Sequence, residues 1–128
     1  LSKVASGGEL SRIGLAIAVL AAQANPVPTL IFDEADAGVG GAVADAIGAL
    51  MRRLGDDRQV LCVTHLPQVA AKAHQHWQVS KETHDGRTVS RITVLDRNAR
   101  VAEVARMLGG AEITATTRKH AREMLAQA

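Results

Sequence analysis

The chain has 128 residues, 47% hydrophobic and 22% charged, the mix of an ordinary globular domain rather than of a disordered segment. Its 15 Lys and Arg against 13 Asp and Glu leave a formal charge of +2, too small to argue for nucleic-acid binding by itself. A chain this long buries roughly two-thirds of its unfolded surface, but the core must be aliphatic, because Phe32 and Trp77 are the only large aromatic side chains.

Ser6-Gly7-Gly8-Glu9 precedes a helical pattern from about Leu10 to Ala24. Its apolar residues spread around most of the helix, which predicts that it is largely buried. The apolar stretch from Ile13 to Ala24 falls short of the ~18 residues that span a membrane, and no signal-peptide pattern is present. Asn25-Pro26-Val27-Pro28 ends the helix, since proline cannot continue it. Thr29-Leu30-Ile31-Phe32 then reads as a short strand buried on both faces, ending at Asp33-Glu34.

A glycine-rich loop, Gly38-Val39-Gly40-Gly41, leads into a second helix over about Ala42 to Leu54. After the turn at Gly55-Asp56-Asp57, residues Gln59 to Thr64 form a second buried strand that stops at His65. Cys62, the one cysteine, sits inside this strand as a small hydrophobe; alone it excludes a disulfide scaffold and a four-cysteine zinc site. Pro67 opens a third helix, Pro67 to His74. Strand, helix, strand, helix in this order predicts a parallel sheet.

The texture then changes. Trp77 to Glu82 and Thr88 to Leu95 alternate apolar and polar residues around Asp85-Gly86, the pattern of an antiparallel hairpin at a sheet edge. Two amphipathic helices follow, Ala99 to Leu108 and Thr114 to Ala126, parted by Gly109-Gly110. The whole reads as one α/β unit.

In open parallel sheets ligands bind beyond the carboxyl ends of the strands, and here two neighbouring strands end in Asp33-Glu34 and Thr64-His65. A carboxylate pair after a strand is often only a solvated loop. Four apolar residues running into Asp-Glu is the more specific Walker B pattern, in which the first acid supports Mg²⁺ and the second sits by the γ-phosphate of a nucleotide. Gly7 and Gly8 leave room for a phosphate at a helix N-terminus, and Ser6 can donate to it. Ser6 and Glu9 also satisfy a capping box, and a helix terminus contributes only ~0.3–1 kcal/mol, so it cannot hold a nucleotide unaided. His74, His76, His84 and Cys62 have no standard zinc spacing. The scattered arginines, among them Arg52, Arg53, Arg87 and Arg91, read as solvated faces before they read as phosphate contacts.

Ala5-Ser6-Gly7-Gly8-Glu9 resembles the ABC-ATPase signature, usually Leu-Ser-Gly-Gly-Gln, and is followed in order by the Walker B strand and a switch histidine. More narrowly, Leu1 to Arg12, Phe32 to Gly41 and Thr64 to Ala70 resemble the bacterial RecN family of SMC-like DNA repair ATPases over essentially the whole chain. The resemblance implies the carboxy-terminal lobe, residues 1–128, of an ABC-type P-loop ATPase head. It implies that Ser6, Gly7 and Gly8 contact the γ-phosphate of ATP held by the opposite head, that Asp33 supports Mg²⁺, that Glu34 polarises the attacking water, and that His65 senses the γ-phosphate. Alignment on Asp33-Glu34 puts Gly40 where such ATPases usually carry a loop Asp, with Asp36 the nearest acidic substitute.

No Gly-x-x-x-x-Gly-Lys-[Ser/Thr] occurs in the chain. In this family that phosphate cradle belongs to an amino-terminal lobe across a long coiled coil, and the start at Leu1 fits a fragment. The expectation is therefore half of each composite site, inactive alone and partnered by the P-loop lobe. The same resemblance implies a second head in an ATP-sandwiched homodimer, DNA engaged through the full-length protein, and a cytoplasmic, nucleoid-associated setting with no membrane contact. Two alternatives stand beside it: the matching lobe of an SMC or transporter ATPase, and a non-catalytic interaction domain that kept the fold.

Overall fold

The computed structural model describes residue 17, residues 19–24, residues 27–33 and residues 38–128. The chain divides into two compact units, one running through Ala73 and the other from His74 to Gln127. The division falls where the sequence texture changes.

In the first unit, residue 17 and residues 19–24 are helical (α1). Strand β1, Thr29–Asp33, pairs in parallel with β2, Gln59–Val63, in the register Thr29 to Gln59 through Asp33 to Val63. Two helices complete the unit, α2 at Gly41–Leu54 and α3 at Pro67–Lys72. The alternation of a strand decides its burial: Phe32 and the half-buried Leu30, Val60 and Cys62 pack on a core that also takes Val19, Ile47 and Met51.

Among the described residues the opposite face of the sheet is only partly covered, with Leu61 half-buried. Ile31 is 69% and Val63 62% exposed, and on α1 Ile17 and Leu20 are exposed as well. This corrects the expectation of strands buried on both faces and of a first helix largely buried. An all-apolar strand predicts two covering layers, and among the described residues this chain supplies only one. Residues 10–16 and residue 18 of the predicted helix lie outside the described residues.

Helices α2 and α3 approach closely at Gly48. A Cβ there would stand 2.9 Å from Lys72 Cγ and 3.2 Å from the carbonyl oxygen of Gln68. The lysine can move, but the backbone carbonyl cannot without shifting α3. Arg52 adds a tie between the same helices by donating from Nη1 to the carbonyl of Lys72 at 2.7 Å. Gly48→Ala gains ~1 kcal/mol of helix propensity and costs ~1–3 kcal/mol in overpacking. We expect a net loss of about 1 kcal/mol; a raised urea midpoint in the variant would refute this account of the contact.

The second unit begins with β3, Trp77–His84, paired antiparallel with β4, Arg87–Val94. Asp85 and Gly86 take φ of +50° and +75°, the left-handed pair that a two-residue hairpin turn requires. Among the described residues the two strands form their own two-stranded sheet. Helices α4, Arg97–Gly109, and α5, Ala115–Ala126, pack on each other through Val104, Ala105 and Ala121. Each begins on a side-chain cap: Asp96 accepts from the Ala99 N–H at 2.8 Å, and Thr114 from the Thr117 N–H at 3.1 Å.

Candidate functional site

The parallel register decides where the chemistry collects. Asp33, the last residue of β1, is opposite Val63, the last residue of β2, and His65 follows two residues beyond. Both side chains therefore belong to the carboxyl end of the sheet, and both residues are exposed. The turn after β2 is fixed locally. Thr64 Oγ1 accepts from the Leu66 N–H at 3.0 Å, Leu66 is extended, and Pro67 opens α3, so His65 is held on a short, braced bend.

The glycine loop, residues 38–41, leads into α2. Gly38 and Gly41 take φ of +72° and +56°, which side chains rarely adopt. Gly40 is different: it is extended, caps α2, and a Cβ there would meet nothing within 4 Å. The space for the usual loop Asp is present, so steric crowding does not account for the glycine at that position.

Four of the six predicted site residues, Ser6, Gly7, Gly8 and Glu34, lie outside the described residues, as does Asp36. Asp33 and His65 are the two whose placement can be given. An exposed carboxylate is a hard oxygen donor of the kind Mg²⁺ takes, so the chemistry of Asp33 fits the ion. Among the described residues no three His, Cys, Asp or Glu side chains cluster in a way that could hold a metal.

A second polar centre lies in the other unit, and sequence reading missed it. Glu103 on α4 is buried, yet it accepts from Gln78 Nε2 of β3 at 2.8 Å and from Arg106 Nε and Nη2 at 2.8 and 2.6 Å. The Arg106 hydrogen bonds hold the Glu103 carboxyl below its ordinary range, against the opposing effect of burial. His76, at the base of the hairpin, has a buried Nδ1 with no hydrogen-bond partner among the described residues. Burial, helped by the charge of Arg100, pushes its pKa down, while Glu103 opposes the shift. Glu103 falls on a helix rich in charged residues, where periodicity assigns such a side chain to solvent. Contacts from Gln78 of the hairpin and from Arg106 of its own helix hold it out of solvent instead.

No protein-family model matches the chain. Curated sequences do. A DNA repair protein RecN of Xylella fastidiosa (strain Temecula1) is 60% identical over 114 residues, covering 89% of this chain and 20% of the relative. RecN of Bacillus subtilis is 51% identical over 128 residues, 100% of this chain and 22% of the relative. The chain belongs to the RecN family. It spans about a fifth of the length of the RecN proteins it matches.

Solved structures agree on the fold. A chain from work on ATP-driven dimerization and DNA stimulated activation of SMC ATPases superposes with a TM-score of 0.68 at 23% identity, over 86% of this chain and 66% of that one. The Smc head domain of Pyrococcus yayanosii gives 0.66 at 26% identity, over 80% of this chain and 19% of that one. The fold is thus the α/β fold of SMC ATPase heads, with a parallel strand pair, an antiparallel hairpin and flanking helices. No described helix is long and apolar enough to cross a membrane.

Proposed function

We propose that this chain is the carboxy-terminal lobe of a RecN-type head that binds and hydrolyses ATP together with a P-loop lobe of the same protein. Two such heads close on shared nucleotide, and closure engages or tethers DNA during double-strand-break repair. The observation that carries the reading is the placement of Asp33 and His65 at one end of a parallel strand pair, the first closing β1 and the second two residues beyond β2.

Each residue then has a task that its chemistry suits. The Asp33 carboxylate would hold Mg²⁺, which when bound neutralises charge on the phosphate oxygens. Glu34, the next residue, would accept a proton from the attacking water. His65, on its braced bend, would hydrogen-bond the γ-phosphate and register its loss. Ser6, Gly7 and Gly8 would offer a hydroxyl and backbone N–H groups to nucleotide held by the opposite head. Phosphoryl transfer is mostly positioning and electrostatics, so a site divided between two lobes and two heads is switched by their assembly.

The test is ATP turnover by the full-length protein across a Mg²⁺ titration. Asp33→Asn should shift the Mg²⁺ requirement upward and lower turnover, and His65→Ala should lower turnover with the Mg²⁺ requirement unchanged. If both variants match the wild type, the two residues do not form the site. Turnover by this chain alone would refute the divided site.

A further inference from the structure

Helix α3 has six residues, Pro67–Lys72, and at 1.5 Å per residue is only ~9 Å long. A helix this short does not hold itself in water, so its place is set by what it packs on. Pro67, Val69, Ala70 and Ala71 are buried. Its close neighbour is α2, at Gly48, where a Cβ would stand 3.2 Å from the Gln68 carbonyl oxygen.

The two ends of α3 are held differently. At the first end, the Leu66 carbonyl accepts from the Val69 and Ala70 N–H groups at 3.2 and 3.1 Å, and Thr64 braces the bend before it. No glycine lies between His65 and the helix, and Pro67 has its φ fixed by its ring. At the far end, the Lys72 carbonyl is one of the acceptors that the last turn of a helix leaves over. Arg52, in the last turn of α2, donates to it at 2.7 Å. A charged donor makes the stronger kind of hydrogen bond. The first unit runs through Ala73, so Arg52 holds the chain just before it leaves that unit.

A displacement of α3 is therefore delivered to His65. Reactions at a positioned site are sensitive to this: a misplacement of about 1 Å, caused far from the chemistry, can cost ~10²-fold in rate. Arg52 is bonded at the end of α3 opposite His65, so it acts through the helix and not on a nucleotide.

We propose that Arg52 is a positioning residue for His65. By holding the Lys72 carbonyl it fixes α3 against α2, and so sets where the imidazole stands at the carboxyl end of the sheet. This rests on the reading above that His65 contacts the γ-phosphate. Arg58 supplies a matched control: it makes the same kind of bond, from Nη1 to the Ala22 carbonyl, but on α1 and not on α3.

The experiment is a double-mutant cycle on ATP turnover by the full-length protein. Arg52→Met keeps the aliphatic stem and removes the donors, and it is made in the wild type and in His65→Ala. The expected result is a ~10–10²-fold fall in kcat in the wild-type background, with the KM for ATP and the Mg²⁺ requirement unchanged. In His65→Ala the same change should cause no further fall. Arg58→Met, taken through the same cycle, should cost one factor in both backgrounds. Urea midpoints of all variants are recorded alongside. Should Arg52→Met not fold, Arg52→Lys, which keeps one donor of shorter reach, carries the cycle.

A merely structural Arg52 would slow the wild type and His65→Ala by the same factor, in step with lost stability. That result overturns the proposal, as does an unchanged kcat, or a coupling of Arg58 to His65 as strong as that of Arg52. Where His65→Ala slows turnover and Arg52→Met does not, this proposal alone falls. Where His65→Ala matches the wild type, or the wild type does not turn over ATP, the reading of the site falls and takes this proposal with it.

Discussion

Glu34→Gln in the full-length protein is expected to slow ATP hydrolysis by about 10²–10⁴-fold, the usual worth of a positioned general base, while nucleotide binding is retained. The amide keeps the size of the side chain and can still hydrogen-bond water, but it cannot take a proton. Nucleotide that binds and is not cleaved should hold two heads together. The variant should therefore accumulate as an ATP-dependent dimer that the wild type forms only transiently. Hydrolysis rate and sedimentation in ATP, measured on the same samples, check both halves. Equal turnover in the two proteins would show that Glu34 is not the base and would favour an interaction domain that has kept the fold. Loss of nucleotide binding would instead place Glu34 in the binding of the ground state.

The second large effect is on stability. Glu103→Ala is expected to destabilise the second unit by about 1–3 kcal/mol, because it leaves Gln78 without its acceptor and strips Arg106 of both its hydrogen bonds. The Arg106 side chain is half-exposed and can return to water, which keeps the loss below that of a fully buried pair. Urea unfolding followed through Trp77, the one tryptophan of the chain, reads it out. An unchanged midpoint would mean that the carboxylate does not hold the hairpin to α4.

The same centre makes the unit acid-sensitive in two steps. The folded pKa of His76 lies below its ordinary 6.5, so the unfolded chain binds a proton first as pH falls. The stability that His76 contributes is complete above 6.5 and is lost as pH drops through its lowered folded value. Glu103 has the same sign lower down: its contribution is complete above its ordinary 4.5 and fades as pH falls through its depressed folded value. In His76→Gln the loss that begins near 6.5 should disappear while the lower one remains. A pH profile identical to the wild type would show that another group titrates.

Much of the local structure could be read from residues alone, because it depends on short-range chemistry. Asp85-Gly86 marks the hairpin since few other pairs accept two positive φ angles, and both are found there. Thr114 is where a helix was expected to begin, and its hydroxyl caps α5. α4 begins two residues earlier than its apolar period suggests, at Arg97 behind the Asp96 cap, because the cap fixes the end and the period does not. Asp33 and His65 were legible as the polar ends of apolar strands. Their placement at one end of the sheet follows from parallel pairing, which the strand–helix–strand order already implied.

The sequence by itself determined the family, the order of elements and the identity of the chemically capable residues, since each is written in local patterns of spacing and side-chain type. The tertiary structure alone decided burial. Hydropathy ranks side chains by their cost in water, but whether a face is covered depends on what packs against it, so Ile31 and Val63 are exposed although both belong to the apolar runs of their strands. For the same reason a charged residue of an amphipathic helix, Glu103, became the buried centre that joins α4 to the hairpin, while the apolar face of that hairpin was left outside.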